Sequence, residues 1–177
     1  MKPEAEGVRQ VARLMAVAAR TAPKTRGIDD IVVEIIEEKE RLREIADKME
    51  EIAEEKGADF FRRDAECLRK SECLVAIGVK SSGPCGLHCG MCGSDCDELE
   101  ERRVDREFAG PLCGFKLLDL GIALGSAAKI ANDLVVDNRL MYTVGVAVRA
   151  LGLIDADVVI GIPLSATGKN IYFDRQG

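Results

Sequence analysis

The fold is decided in residues 73–96, which read CLVAIGVKSSGPCGLHCGMCGSDC. The first seven residues are apolar, and this pattern predicts a buried strand. Residues 81–96 then hold four cysteines and four glycines in sixteen positions, so this part has too few apolar side chains to form a core. A buried strand therefore passes directly into a loop that something other than core packing must order.

Regular secondary structure is predicted on both sides of this stretch. Apolar side chains at three- and four-residue spacing predict an amphipathic helix over residues 5–21, ended by Pro23. A densely charged helix over residues 37–56 ends at Gly57. The same patterns predict helices at 59–70, 112–134 and 140–151 and strands at 31–36 and 158–162. Helices around a modest sheet give the α+β class.

Three further segments have less regular patterns. Residues 98–106 are densely charged and are predicted to be helical or partly mobile. Asp137–Asn138–Arg139 is interpreted as a turn with a helix cap, or as polar groups at a redox pocket. Gly161–Lys169 combines glycine, hydroxyl and lysine groups, but its spacing departs from the phosphate-loop pattern. This leaves the weaker prediction of a loop that contacts an anion.

The chain of 177 residues has an ordinary length for one domain. It is 47% hydrophobic and 32% charged, a balance that excludes a disordered or fibrous protein. No internal repeat and no low-complexity linker divides the sequence. We therefore predict a single α+β domain over residues 1–177, with residues 81–113 as a cysteine-rich insertion.

The charge pattern argues against nucleic acids and membranes as partners. The chain has 25 Lys and Arg against 31 Asp and Glu, a formal net charge of -6, so phosphate neutralisation has no overall electrostatic support. Charge-free stretches such as 120–128 and 140–148 have nine residues each, about half of what a membrane-spanning helix needs. Lys2 is followed by Pro3 and Glu4 instead of the apolar core of a secretion signal, so we expect a cytoplasmic protein.

Five of the seven cysteines are candidate metal ligands. Cys85, Cys89, Cys92 and Cys96 have the spacing C-x3-C-x2-C-x3-C, and sixteen residues separate Cys96 from Cys113. In a cytoplasmic chain, clustered cysteines indicate a metal or redox site rather than disulfides. Short glycine-containing spacers suit such a site because they let several thiolates turn towards one centre.

Two sets of four thiolates satisfy this pattern. The first is the run of four closely spaced cysteines, and the second uses Cys113 in place of Cys85. Either set suits a [4Fe-4S] cluster or a structural zinc ion. Three closely spaced cysteines with a distant fourth are typical of a cluster, so the cluster is favoured and zinc is the alternative. His88 is interpreted as a neighbour of the site, and Cys67 and Cys73 as buried core residues.

Long segments of the chain resemble one prokaryotic family. The segments are CGMCGSDC (89–96), GPLCGFKLLDLGIALGSAAKIA (110–131), VDNRLMYTVG (136–145) and VIGIPLSATGKNIYFDR (159–175). They are similar to the DUF2148 family, described as containing a ferredoxin domain. The resemblance implies that Cys89, Cys92, Cys96 and Cys113 are cluster ligands, since they match a family pattern C-x2-C-x4-C with a distant fourth cysteine. This chain has one residue fewer between Cys92 and Cys96, and Cys85 is additional.

The frame around the loop resembles flavin-dependent nitroreductases. The resemblance rests on VRQVARLMAVAARTAP (8–23), followed by a strand, an acidic helix and a second strand. It implies a sandwich of helices around a small, mostly antiparallel sheet, and a homodimer that exchanges C-terminal segments and holds FMN in its interface. Residues 23–27 would then lie beside the isoalloxazine. The residues implied at the FMN phosphate are Arg9, Arg13, Lys169 and Arg175.

The sequence thus predicts a redox protein that binds a [4Fe-4S] cluster. It would pass single electrons to a partner protein, a small-molecule acceptor or a bound flavin. Two alternatives stay open, namely a zinc-stapled interaction module without redox function and a flavin-dependent oxidoreductase with a structural cysteine loop. Colour separates them, because a zinc–thiolate protein is colourless and a flavoprotein is yellow.

Overall fold

Strand β2 (Cys73–Val79) lies inside a four-stranded antiparallel sheet in the computed structural model, which describes residues 2–173. Strand β1 (Ile31–Ile36) pairs with one edge of β2, with Ile31 opposite Val79. Strand β6 (Val158–Ser165) pairs with the other edge, with Cys73 opposite Leu164. The two-residue strand β5 (Asp137–Asn138) completes the order β1-β2-β6-β5.

The remaining elements surround this sheet. The helices are α1 (Pro3–Thr21), α2 (Lys39–Lys56), α3 (Asp59–Lys70), α4 (Gly114–Asp133) and α5 (Tyr142–Ala150). A small hairpin of β3 (Val104–Asp105) and β4 (Ala109–Gly110) lies between β2 and α4 in the chain. In the part of the chain that the structure describes, no helix combines the length and the apolar character needed to cross a membrane.

The side chains of β2 explain why the sheet has helices on both faces. Leu74 and Ala76 belong to a core shared with α2, α3 and α5. Cys73, Val75 and Ile77 belong to a second core shared with α1 and α4. Successive side chains of a strand face opposite sides of a sheet. Because all seven residues of β2 are buried, both faces of the sheet need a covering layer.

Helix α5 packs directly on β6 because Gly145 has no side chain. A Cβ atom at this position would overlap the carbonyl oxygen of Val159 and lie 2.6 Å from its carbonyl carbon. Gly161 of β6 is similarly close to α5, since a Cβ atom there would lie 2.7 Å from Cβ of Val144. The two glycines therefore set the distance between this helix and the sheet.

The structure confirms the α+β prediction. The strands at 31–36 and 73–79 and the helix at 59–70 have the predicted bounds. The charged segment at 98–106 differs, because it contains a 3-10 turn at Glu100–Arg102 and then strand β3, which pairs with β4. Asp137–Asn138 is also different from the predicted turn, because it pairs with the end of β6 as β5.

We expect Gly145→Ala to destabilise the fold. The added methyl group would meet the backbone of Val159, which cannot shift without disturbing the sheet. Overpacking of this kind costs about 1–3 kcal/mol, and urea unfolding measures the loss. Gly7→Ala is the matched control, since Gly7 lies in α1 with nothing within 4 Å of an added Cβ, and alanine there should stabilise by up to about 1 kcal/mol. Equal stability of the two variants would contradict the close packing of α5 on β6.

Candidate functional site

The cysteine loop (residues 81–96) leaves β2 and is fixed at its start by side-chain acceptors. The backbone N–H of Ser81 donates to Asp157 Oδ2 at 2.7 Å. Both N–H and Oγ of Ser82 donate to Asp30 Oδ2, at 3.0 and 2.9 Å. Further along, Gly90 has a φ angle of 70°, a left-handed conformation that favours glycine and reverses the chain between two cysteines. The loop is therefore an irregular segment with a fixed entry.

Cys113 occupies the N-terminal cap position of α4. Its side chain is buried in a small cluster with Cys85, and Cys92 and Phe115 pack against this cluster. Burial raises the pKa of the Cys113 thiol, but the backbone N–H groups of Cys85, Phe115 and Lys116 outweigh burial, so the pKa is lowered. A helix N-terminus also favours negative charge. This position is therefore suited to a thiolate.

Cys85 is the hydrogen-bond partner of Cys113. Its side chain is only 1% exposed. Burial and the hydrogen bond to Cys113 raise the pKa of the Cys85 thiol. The contact between the two thiols therefore favours the protonated form at Cys85 and the thiolate at Cys113.

The other three cysteines of the loop have separate environments. Cys92 is half-buried, and its thiol lies 3.6 Å from the carbonyl oxygen of Ser94. The buried Cys96 accepts the backbone N–H of His88 at 3.4 Å, and Cys89 is exposed. Among residues 2–173, no three cysteine sulfurs lie within 4.8 Å of one another. The structure thus brings Cys85, Cys92 and Cys113 into one cluster and leaves Cys89 and Cys96 outside it.

A group of exposed polar side chains lies on the outer side of the loop. His88, Asp95 and Asp97 place one potential ligand atom each within 4.8 Å of one another, and all three are exposed. The ring Nδ1 of His88 is 2.9 Å from Asp95 Oδ1, which also accepts the backbone N–H of Asp97. These contacts satisfy the carboxylate internally, so we assign no metal here.

Polar contacts join the cysteine loop and α4 to the connection between α1 and β1. Arg26 Nη1 donates to the carbonyl oxygen of Cys85 at 2.6 Å. Asp119 of α4 is 3% exposed and accepts both N–H and Oγ1 of Thr25, at 3.0 and 2.9 Å. Thr25 and Arg26 belong to residues 23–27, the segment that the nitroreductase resemblance places beside the isoalloxazine. This segment therefore touches the cysteine loop directly.

Sequence reasoning missed Lys116 and Asp119. Lys116 is 1% exposed, and its Nζ lies 2.6 Å from Asp30 Oδ2. The signal was present in the sequence, because these are the two charged residues in the otherwise apolar stretch 112–128 and lie three residues apart. Residues at this spacing share one helix face, so both charges had to be buried together or exposed together.

Two of the three arginines implied at a phosphate, Arg9 and Arg13, lie one turn apart on α1, and each has a carboxylate partner. Arg9 Nη2 is 2.8 Å from Glu72 Oε1, and Arg13 Nη2 is 2.8 Å from Glu37 Oε1. Arg9 Nε is buried and has no hydrogen-bond partner within the described ranges of the chain. Arg9 therefore keeps one free donor, whereas Arg13 is largely exposed.

A cleft of about 780 Å³ lies at the N-terminal end of α1. Its lining includes Lys2, Lys70, Glu72, Asp137, Ser165 and Thr167. Lys169 follows this lining in the sequence and is exposed, and Arg175 lies outside the described residues. Residues 23–27 follow the opposite end of α1, and this helix of 19 residues is about 28 Å long. One chain alone therefore does not bring the cleft and residues 23–27 to one small ligand.

Comparison with known proteins identifies the family. Residues 109–175 match the family model described as "uncharacterized protein containing a ferredoxin domain (DUF2148)". An uncharacterized protein of Archaeoglobus fulgidus is 49% identical over 172 residues, which cover 96% of this chain and 92% of that protein. The chain belongs to this family. The ferredoxin domain of the DUF2148 family indicates a redox function.

Solved structures share the fold of the chain. A nitroreductase with bound FMN from Desulfitobacterium hafniense has a TM-score of 0.60 at 16% identity, covering 96% of this chain and 92% of that one. An FMN-dependent nitroreductase from Clostridium difficile has a TM-score of 0.56 at 13% identity, covering 91% and 77%. A BluB-like flavoprotein, also from Clostridium difficile, has a TM-score of 0.52 at 18% identity, covering 88% and 78%. The predicted nitroreductase-like fold is confirmed.

Asp119→Ala should loosen residues 23–27. The change removes the acceptor of both Thr25 donors, and donors left unpaired in a partly buried position cost about 1–3 kcal/mol. We expect lower stability and faster hydrogen exchange at the Thr25 amide, measured by NMR. Asp133→Ala is the control, because Asp133 pairs with exposed Lys129 at the other end of α4. Exchange at Thr25 that does not change in the Asp119 variant would show that this contact does not hold the segment.

Proposed function

We propose that this DUF2148 protein holds a [4Fe-4S] cluster and passes single electrons to a redox partner protein, a small-molecule acceptor or a bound flavin. The observation that carries the proposal is the buried Cys113 at the N-terminus of α4, whose pKa is lowered by backbone N–H groups, beside a loop with four more cysteines. N–H groups directed at ligand sulfurs offset thiolate charge and tune the potential of a cluster. The ferredoxin domain of the family supports the same kind of centre.

Cys89, Cys92, Cys96 and Cys113 are the proposed ligands, and Cys85 is proposed as a neighbour of the site. Cys85 and Cys113 pack together in one buried cluster. Burial and the hydrogen bond to Cys113 raise the pKa of the Cys85 thiol, whereas backbone N–H groups outweigh burial and lower the pKa of the Cys113 thiol. A ligand thiolate is therefore better supported at Cys113 than at Cys85.

Zinc is the alternative metal at this site. Four sulfurs bound to one zinc ion at about 2.3 Å are about 3.8 Å apart. In the described part of the chain, the cysteine sulfurs form no group of three within 4.8 Å. A zinc site would thus need the loop to close further around the metal. Metal analysis distinguishes zinc from the iron–sulfur cluster.

A [4Fe-4S] group supplies one-electron transfer when it is bound. The residues of this chain fix the loop that holds it. Asp157 and Asp30 hold the entry of the loop, and Arg26 holds the carbonyl of Cys85. Leu99, 1% exposed, and Phe115 pack around the Cys85–Cys113 pair and keep water from these sulfurs.

Cysteine variants separate the two ligand sets. We expect Cys92→Ala and Cys113→Ala to lose iron and the broad absorbance at about 400 nm, because each change removes one of four ligands. Cys85→Ala should keep both. Metal analysis and the visible spectrum of protein purified without oxygen measure the result, and the unmodified protein should hold about four irons per chain.

One variant serves as the control, and three outcomes would contradict the proposed cluster or its ligand set. Cys73→Ala should keep its iron, because Cys73 is buried in the core with α1 and α4. Iron lost from Cys85→Ala and kept in Cys113→Ala would support the run of four cysteines instead. One zinc ion and no colour in the unmodified protein would support the zinc-stapled module, and unchanged absorbance in Cys92→Ala would reject the cluster.

A bound flavin is the second candidate function, and Arg9 is the observation that favours it. Arg9 Nε is buried without a hydrogen-bond partner among the residues described, while Nη2 contacts Glu72 at the edge of the 780 Å³ cleft. A free guanidinium donor suits an anionic group such as a phosphate. The cleft has the volume of a small-molecule site, and the Desulfitobacterium neighbour was solved with FMN. We propose that Arg9, Arg13, Lys169 and Arg175 serve the FMN phosphate.

We propose that the chain forms a homodimer in which the cleft of one copy and residues 23–27 of the other serve one flavin. Helix α4 offers a surface for this contact, because Leu118, Gly121, Ile122 and Gly125 form one exposed stripe along it. An added Cβ at Gly121 or Gly125 would meet nothing within 4 Å. Such small residues let a second helix approach closely, so we propose that two copies associate through this stripe.

Arg9→Gln should weaken FMN binding. The change removes a charge-assisted hydrogen bond of about 1.5–3 kcal/mol, so the dissociation constant should rise by about 10- to 100-fold. Quenching of flavin fluorescence on titration measures it. Arg41→Gln on α2 is the control, because Arg41 is an exposed residue paired with Glu44. A protein that binds no FMN would remove the flavin from the proposal and leave the cluster.

A further inference from the structure

Lys116 is a buried cation with an incomplete set of contacts. Its side chain is 1% exposed, and the side chain of its neighbour Asp30 is 8% exposed. Nζ forms an ion pair with Asp30 Oδ2 at 2.6 Å. Within residues 2–173, no second acceptor satisfies the other donors of the ammonium.

A buried ammonium in this state needs further negative charge nearby. Ions taken out of water are strongly destabilising unless they are paired and hydrogen-bonded. Asp30 compensates Lys116 only in part, because the same carboxylate oxygen also accepts N–H and Oγ of Ser82. Burial would raise the pKa of Asp30, but Lys116 and Ser82 together lower it. Asp30 Oδ2 is thus shared between Lys116 and Ser82, and the ammonium keeps donor groups that suit a further negative group nearby.

The cysteines of the site lie near Lys116. Lys116 follows Cys113 by three residues in the first turn of α4, and helical side chains lean towards the helix N-terminus, here towards Cys113. Asp30 Oδ2, which lies 2.6 Å from Nζ, also accepts N–H and Oγ of Ser82 in the cysteine loop. The ammonium of Lys116 therefore lies between the first turn of α4 and the start of the cysteine loop.

We propose that Lys116 is the internal counter-charge of the iron–sulfur cluster and raises its reduction potential. This inference rests on the proposed function. Four thiolates carry more negative charge than the iron–sulfide core carries positive charge, and reduction adds one electron. A fixed cation therefore stabilises the reduced form more than the oxidised form. Asp30 acts in the opposite direction, and Lys116 is a positioning residue that touches no reacting atom.

The test is the midpoint potential of the iron-loaded protein, measured by potentiometric titration and followed by absorbance. Lys116→Met removes the charge with a side chain of similar length, and we expect a more negative potential at unchanged iron content. Asp30→Asn leaves the ammonium without its partner, and we expect a more positive potential. General loosening of the site would move both variants in the same direction, so opposite signs identify a charge effect.

Lys129→Met is the matched control. Lys129 lies on the same helix with its side chain 70% exposed and pairs with Asp133, so its loss should leave the potential unchanged. If Lys116→Met does not fold, Lys116→Gln takes its place beside Asp30→Asn, and a negative shift in Lys116→Gln with a positive shift in Asp30→Asn is again the expected result. Shifts of equal sign or no shifts, at full iron content, overturn this inference and leave the proposed function intact. An unmodified protein without iron overturns both.

Discussion

The position of Cys113 at the N-terminus of α4 is the constraint on which the cysteine loop depends. Helix α4 packs on α1 and the sheet through residues such as Leu120 and Ala123, so the core fixes its first turn. The cysteine loop has no helix or strand of its own, and side-chain contacts give it order. Asp30 holds Ser82 at its start, and Cys85 packs against Cys113 at the start of α4. An irregular segment is in this way attached to a regular frame.

Two buried charged residues, Lys116 and Asp119, lie near the start of α4, and their contacts have a structural role. Buried ion pairs rarely add stability compared with apolar residues of equal size, but they do fix geometry. Asp119 holds Thr25, which is 94 residues earlier in the chain, and Lys116 meets Asp30. The charged residues Lys116 and Asp119 of α4 can be found in the sequence, but their partners Asp30 and Thr25 could be found only from the folded structure. Together with the contact of Arg26 to the Cys85 carbonyl, these contacts fix residues 23–27 relative to the cysteine loop.

The sandwich could be predicted because its signals are local. A strand that is apolar at every position and helices with apolar stripes can be recognised in short windows of sequence. The predicted bounds of the helix at 59–70 and of the strand at 73–79 therefore agree with the structure. Strand β5 could not be predicted, because two residues form a strand only through pairing, here Asp137 with Ser165. The same limit applies to the site. Spacing identified the loop and its cysteines, but the contact of Cys85 with Cys113 depends on how the intervening chain folds.

Strand β1 has a consequence for how copies of the chain can associate. It lies at the edge of the sheet and, among the residues described, pairs with β2 alone. A free edge offers unpaired backbone groups to the strands of other molecules. Here Glu34 at the middle of β1 and Glu38 just beyond it are exposed. Two such edges would bring like charges together, which disfavours edge-to-edge pairing between the sheets of two copies.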